Sequence, residues 1–200
     1  MRKLQSAHGG SDPGKIGVHK EKEKDINLKI SLKVRDKMEK ENIQVVMTRE
    51  KDQDLADEDS QNRKIQDLKK RCEIIHQTQP DCVVSIHQNS YPDENIKGAQ
   101  VFYYEDSQEG KHLGGIMQKN LVEGLDKNNH RQAKGNKSYY LLKKTDATLV
   151  IVECGFISNS EESALLSSEK YQEQVAQSIV KGIKEYLETS KISLARGDSL

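Results

Sequence analysis

Residues 82–89 read Cys-Val-Val-Ser-Ile-His-Gln-Asn, and this stretch decides the fold. Its first five residues are apolar or small, which is typical of a buried strand, and polar side chains begin at His87. A similar run, residues 149–152, is followed directly by Glu153. In open α/β sheets, ligands bind at the carboxyl ends of the strands. The two runs therefore predict that His87 and Glu153 lie at a functional edge.

Helical and strand patterns alternate along the rest of the chain. Apolar residues recur at helical spacing in 25–41, 65–75, 113–125 and 171–187. Shorter apolar runs of strand type lie at 45–47, 99–104 and 139–142. This alternation predicts an α/β fold: a single domain with a central, mostly parallel twisted sheet flanked by helices, and the active site at the C-terminal edge of the strands.

The length of 200 residues suits one domain, which we expect to span residues 1–188 and to be followed by a polar tail at 189–200. Residues 126–137, rich in Asn, Lys and Gly, are predicted to form a surface loop. Residues 1–7 contain few apolar side chains, so the sequence predicts no regular strand there. Without a signal segment in this sequence, a mature or shortened form of the protein is expected.

The charge balance excludes some classes of function. Lys and Arg number 32, as do Asp and Glu, and only nine residues are aromatic (Tyr 7, Phe 2), which speaks against a nucleic-acid-binding protein. No apolar run is long enough to form a transmembrane segment. The three cysteines form no CxxC pair; Cys72 and Cys82 are predicted to be core residues, and Cys154 is a weak candidate nucleophile.

Three separated residues could form one metal site. His8 opens the sequence His-Gly-Gly-Ser-Asp-Pro-Gly, Glu23 lies at the mouth of the first predicted helix, and His87 ends a strand. Two imidazoles and a carboxylate suit a catalytic zinc ion, because three protein ligands leave one coordination position open for water. Glu153 is a possible base. Each motif alone also has a structural interpretation, as a tight turn or a hydrogen-bonded strand end.

The combination of motifs resembles the zinc-dependent N-acetylmuramoyl-L-alanine amidases of the amidase 3 type. The matching motifs follow the family's order and extend over residues 8 to about 187, at 8–14, 23–28, 48–49, 85–89 and 153–159. The resemblance implies that His8, Glu23 and His87 bind one zinc ion and that Glu153 is catalytic. Among subgroups, the chain is most similar to the germination-specific amidases of the spore cortex.

This resemblance implies a substrate and a location. The family cleaves the amide bond between the lactyl group of muramic acid and L-alanine in peptidoglycan, so we expect action on cell wall or spore cortex, outside the cytoplasmic membrane. Residues 5–7, Gln-Ser-Ala, stand where the family has an apolar strand ending in Asp-Xaa-Gly. We therefore expect a poorly fixed His8, loosely held zinc, and an accessory activator protein that orders this edge.

Further polar residues are candidates for substrate contact. Asn89 is either a hydrogen-bond donor to substrate or ligands, or a turn residue. His130 and Arg131 lie in the predicted loop and are expected to contact glycan or peptide carboxylates. Arg49 is expected to form a structural ion pair. Two alternative functions stay open: a zinc peptidase or carboxypeptidase acting on wall peptides, and a non-catalytic wall-binding regulatory module.

Overall fold

The computed structural model of the protein describes residues 2–196, and side chains as far as residue 190. A six-stranded sheet in the order β2-β1-β3-β6-β4-β5 forms its centre. The strands are β1 (Arg2–Ser6), β2 (Val45–Met47), β3 (Cys82–Asn89), β4 (Gln100–Tyr104), β5 (Lys134–Asn136) and β6 (Leu149–Phe156).

Four of the strands, β2, β1, β3 and β6, run parallel, whereas β4 is antiparallel to β6 and carries β5 parallel to itself. The predicted single α/β domain with a mostly parallel sheet is thus confirmed. The helices are α1 (Glu23–Lys40), α2 (Arg63–Thr78), α3 (Gln108–Leu125), α4 (Tyr140–Lys144), α5 (Ser160–Ser167) and α6 (Glu169–Arg196). None of them is both long and apolar enough to cross a membrane.

The sheet separates two hydrophobic cores. Helices α1, α3 and α6 cover one face, where Val84 and Ile86 of β3 are buried. Helices α2 and α4 cover the other face, toward which Val83 points. Because β3 and β6 are buried on both faces, their sequences are continuously apolar rather than alternating. For that reason, these two strands were the easiest to predict from the sequence.

The absence of a first strand was a wrong prediction, because β1 forms and lies between β2 and β3. Its polar side chains are buried but have partners. Lys3 Nζ donates to the Ile74 carbonyl oxygen at 3.4 Å, and Gln5 hydrogen-bonds with Ser85. Burial lowers the pKa of Lys3 to about 8. These partners are distant in sequence, so the apolar count of residues 1–7 underestimated the strand.

Two other segments differ from expectation. Residues 139–142 were predicted as a strand, but helix α4 begins at Tyr140. The Asn136 side chain accepts hydrogen bonds from the backbone N–H groups of Ser138 and Tyr139 at 2.7 and 2.8 Å, which turns the chain into the helix. The predicted loop at 126–137 includes the short strand β5.

The C-terminal helix extends beyond the predicted boundary. Helix α6 continues through Glu188 to Arg196, so part of the expected polar tail is helical. Residues 197–200 of that tail lie outside the described residues. Helix α5 was not predicted; its signal was Asn159, whose side chain caps the helix by accepting from the Glu162 N–H at 2.9 Å.

Candidate metal centre and active site

Three polar side chains converge at the carboxyl ends of the parallel strands. His8 follows β1, Glu23 is the first residue of α1, and His87 lies near the end of β3. One ligand atom from each residue lies within 4.8 Å of the other two. The sheet and the start of one helix therefore bring together residues that are up to 79 positions apart, which the order β1-β3 in the sheet makes possible.

The spacing of these atoms fits a small metal ion. Glu23 Oε1 lies 3.3 Å from His8 Nε2 and 3.2 Å from His87 Nδ1. Two ligands at ordinary zinc distances in a tetrahedral arrangement are about 3.3 Å apart. A nitrogen–oxygen–nitrogen donor set with this spacing suits zinc, and it leaves one position of the tetrahedron for water or substrate.

Burial and charge favour the metal-binding protonation states of Glu23 and His87, whereas the neighbouring carboxylates favour the protonated form of His8. Burial would raise the pKa of Glu23, but hydrogen bonds and charges from His8 and His87 outweigh it and hold that pKa far below its usual range. Burial lowers the pKa of His87. Burial would also lower the pKa of His8, but Glu23 and Asp12 outweigh it and raise that pKa. Glu23 is thus ionised and His87 neutral at pH 7.

Asp12 orients the first candidate ligand. Its Oδ2 lies 2.7 Å from His8 Nδ1, and its Oδ1 accepts from the Gly14 N–H at 3.1 Å. A carboxylate on one imidazole nitrogen fixes the tautomer that leaves the other nitrogen free for a metal. No role was predicted for Asp12, although a carboxylate four residues after a histidine was a usable signal.

Glu23 is held by a second set of hydrogen bonds. Its Oε2 accepts from the Lys15 N–H at 2.8 Å, and its Oε1 from the Gln88 N–H at 3.1 Å. Asn27 donates to Oε1 at 3.4 Å and accepts from the Gln88 side chain at 3.0 Å. Neither Asn27 nor Gln88 was recognised from the sequence, because their pairing depends on α1 packing beside β3.

Glu153 lies next to this cluster. It is directly opposite His87 in the register of β6 and β3, and it is only 6% exposed. Its Oε2 is buried without a hydrogen-bond partner among the residues whose side chains are described. Burial, together with the charge of Glu23, raises the pKa of Glu153 to about 8. A carboxyl group of this kind can hold and release a proton near neutral pH.

Asn89 makes the hydrogen bonds of a turn residue. Its side-chain oxygen accepts from the Ser90 N–H at 2.8 Å, and its main-chain oxygen accepts from the Ile157 N–H at 2.8 Å. These contacts tie the end of β3 to the segment after β6. The side-chain amide nitrogen stays available as a donor.

Arg131 reaches the strand that borders Glu153. Its Nη1 donates to Gln100 Oε1 at 3.1 Å, and Gln100 is opposite Glu153 in the register of β4 and β6. Its guanidinium carbon lies 4.8 Å from the centre of the Phe156 ring. His130 and Arg131 both line a cavity of about 710 Å³. Gln100 thus connects Arg131 to the strand position opposite Glu153.

Cys154 and Arg49 have structural roles. Burial raises the pKa of the Cys154 thiol far above its usual range, which excludes it as a thiolate nucleophile. Cys72 and Cys82 are buried in the core as predicted. The ion pair expected of Arg49 was a wrong prediction: its guanidinium donates to main-chain carbonyl oxygens, among them that of Lys24 at 2.7 Å.

Comparison with known proteins agrees with this geometry. The sequence profile of the N-acetylmuramoyl-L-alanine amidase family matches residues 4–185. The germination-specific N-acetylmuramoyl-L-alanine amidase of Bacillus subtilis (strain 168) is 38% identical over 186 residues, covering 92% of this chain and 78% of that protein.

Solved structures are similar as well. The CwlD amidase from Clostridioides difficile, in complex with the GerS lipoprotein, is 40% identical with a TM-score of 0.91, covering 94% of this chain and 98% of that one. The catalytic domain of CwlV, an N-acetylmuramoyl-L-alanine amidase from Bacillus (Paenibacillus) polymyxa var. colistinus, is 29% identical with a TM-score of 0.81, covering 94% and 97%.

Proposed function

The chain belongs to the N-acetylmuramoyl-L-alanine amidase family, and on this basis we propose that it is a zinc-dependent peptidoglycan hydrolase. The bond cleaved is the amide between the lactyl group of muramic acid and L-alanine of the stem peptide. One observation carries the proposal. The buried carboxyl group of Glu153, whose Oε2 has no hydrogen-bond partner among the described side chains, lies opposite a residue of a His, Glu, His cluster with zinc-like spacing.

The proposed ligands of the single zinc ion are His8, Glu23 and His87. The 3.2 and 3.3 Å separations around Glu23 Oε1 support this assignment. Bound there, zinc would supply Lewis acidity to the substrate carbonyl and to the attacking water. The protein's own contribution is to hold the carboxylate of Glu23 in place through Asn27 and Gln88 and to orient the His8 imidazole through Asp12.

Glu153 is proposed as the proton shuttle. It takes the proton of the attacking water and passes it to the nitrogen that leaves as the amino group of L-alanine. An amide nitrogen is a poor leaving group until it is protonated, so a proton donor is required, and a single carboxyl group can accept the proton from water and then donate it. The raised pKa of Glu153 and its unpartnered Oε2 support this role.

We assign the catalytic unit to residues 1–188 and the tail to residues 189–200. Arg131 and His130 are proposed to contact the substrate from the cavity that they line beside α5, and Asn89 to do so through its amide nitrogen. Arg131 has the best support, because Gln100 connects it to the strand position opposite Glu153.

The location and partner of the enzyme are also proposals. The germination-specific relative suggests action on cell wall or spore cortex, outside the cytoplasmic membrane. The CwlD structure contains the GerS lipoprotein, which supports an accessory protein for this chain too. Loose zinc binding was expected because no first strand was predicted, but β1 forms and ends two residues before His8.

Product analysis separates this function from its alternatives. Purified peptidoglycan treated with the zinc-loaded protein is expected to yield new amino-terminal L-alanine and free lactyl carboxylates on muramic acid. A wall peptidase would release internal or terminal residues of the stem peptide instead. A binding module would release neither, and it would have no use for the buried base Glu153.

A further inference from the structure

Two arginines are buried behind the His8 loop. Arg71 of α2 has no exposed surface, and Arg49 is 2% exposed. Both guanidinium groups contact the chain where it leaves β1, at residues 6–8. We infer that Arg71 is a positioning residue for the metal site, which fixes the backbone of His8 so that its imidazole faces Glu23. This inference rests on the proposed zinc function.

The hydrogen bonds of Arg71 show how it would act. Its Nη1 donates to the Ser6 carbonyl oxygen at 2.7 Å, and its Nη2 to the His8 carbonyl oxygen at 3.1 Å. Its Nε donates to Asp67 Oδ2 at 2.7 Å, which sets the plane of the guanidinium group. One rigid side chain thus holds the carbonyl groups on both sides of Ala7.

Arg49 donates hydrogen bonds to the same segment of the main chain. Its Nε donates to the Ser6 carbonyl oxygen at 3.2 Å, and its Nη2 to that of Ala7 at 3.1 Å. Three consecutive carbonyl groups therefore have guanidinium donors. Burial, and then the nearby charge of Arg71, lower the pKa of Arg49 to about 10. Two cations buried close together repel each other, and the Asp67 carboxylate together with the carbonyl groups of residues 6–8 offsets this repulsion.

The backbone of His8 requires such support. Its φ of 58° is in the left-handed region, which a residue with a Cβ atom rarely adopts unless its surroundings hold it there. In an extended conformation, the chain would continue along β1 and carry the imidazole away from α1. Arg49 and Arg71 hold the backbone of His8 in this strained conformation, and Asp12 orients the His8 imidazole ring.

Lysine could not replace arginine here. A guanidinium group presents several N–H donors in a fixed plane, whereas an ammonium group is a point charge on a flexible stem. Arg71 uses three nitrogens toward three different residues at once. Arg71→Lys keeps the charge and much of the volume but removes the geometry, so it isolates the positioning role.

The test compares zinc affinity and site geometry in Arg71→Lys and wild type. Zinc dissociation constants come from chelator competition, and the visible spectrum of the Co²⁺-substituted protein reports coordination geometry. We expect Arg71→Lys to bind zinc about 10- to 100-fold more weakly, the usual scale for a group supporting a metal ligand, and to show an altered Co²⁺ spectrum with native circular dichroism. Affinity and spectrum equal to those of wild type would overturn the inference.

Val180→Ala is the matched control, because Val180 is buried in the core packed by α6 and does not contact the site. Val180→Ala is expected to lower the melting temperature and leave zinc affinity unchanged. If Val180→Ala lost as much zinc affinity as Arg71→Lys, Arg71 would contribute only to the stability of the fold. If Arg71→Lys does not fold, Asp67→Asn is tested in the same way. This change weakens the contact that fixes the plane of the Arg71 guanidinium group, so the same loss of zinc affinity is expected. Wild type without zinc binding would instead refute the proposed function itself.

Discussion

His87 and Glu153 lie directly opposite each other on the parallel strands β3 and β6. Residues opposite each other in a parallel pair point to the same face of the sheet, so a candidate metal ligand and a candidate base share one small volume. The pairing slips by one residue immediately afterwards, between His87 and Asn89. Such irregularities end regular pairing beside functional sites.

Removing a ligand should remove the metal. His87→Ala deletes one of three proposed ligands, so we expect zinc content, measured by elemental analysis after dialysis, to fall from one ion per chain to near zero. Circular dichroism should stay native, because the ring is at the sheet edge. Undiminished zinc in this variant would show that the ion binds elsewhere.

Asp12 should matter for metal affinity rather than for folding. Asp12→Asn keeps the shape but weakens the 2.7 Å contact with His8 Nδ1, so zinc should bind roughly 10-fold more weakly. The control is Asp106→Asn, which removes a carboxylate that pairs with Lys137 at the surface. Equal affinities in the two variants would remove the orienting role of Asp12.

Gly14 has no space for a side chain. Its φ is +68°, and an added Cβ would lie 2.6 Å from Glu23 Oε2 and 2.8 Å from the His8 ring. Gly14→Ala should therefore both destabilise the protein and reduce zinc affinity. Gly115→Ala is the control, because no atom lies within 4 Å of an added Cβ in helix α3.

Gly115→Ala should stabilise the protein by about 0.5 to 1 kcal/mol, since alanine loses less backbone entropy than glycine when a helix forms. Chemical denaturation and chelator competition measure both quantities. A Gly14→Ala protein with wild-type stability and affinity would mean that the loop at residues 8–14 is not packed against Glu23 as described.

In the metal-free protein, Glu153 should destabilise the fold increasingly as pH rises. Burial, with the charge of Glu23, raises the pKa of Glu153 from 4.5 to about 8, so the folded state binds this proton more tightly than the unfolded chain. The penalty is absent below pH 4.5 and grows by about 1.4 kcal/mol per unit until pH 8. Glu153→Gln lacks this penalty.

With zinc removed by a chelator, urea unfolding of wild type and Glu153→Gln is compared at pH 5.5 and 7.5. The stability advantage of the variant should be larger at pH 7.5 by about 2 to 3 kcal/mol. Other titrating groups are common to both proteins, and Glu161→Gln, a surface change, controls for the loss of a carboxylate. A pH-independent difference would mean that Glu153 titrates normally.

The sequence predicted the elements whose signals are local. Strands β3 and β6 are buried on both faces and therefore continuously apolar, and α1 and α6 have regular apolar faces. Strand β1 could not be predicted in this way, because Lys3 and Gln5 are buried against partners more than 70 residues away. Short apolar runs such as 139–142 do not distinguish strand from helix.

The residues of the candidate site could be predicted from the sequence, but the residues that hold them in position could not. His8, Glu23 and His87 were found from spaced motifs, and the sheet order brings them together. Arg71 could not have been found, because it contacts His8 from 63 positions away through main-chain carbonyl groups. A main-chain carbonyl group accepts a hydrogen bond whatever the side chain of its residue is, so the sequence does not reveal such contacts.

The decisive measurement is the rate at which Glu153→Gln releases amino-terminal L-alanine from purified peptidoglycan, with zinc content measured on the same sample. Glutamine keeps the size of the side chain but cannot accept the proton. We expect one zinc ion per chain and a rate lower than wild type by a factor on the order of 10² to 10⁴. Turnover near the wild-type rate at full zinc occupancy would contradict the role of Glu153 as proton shuttle.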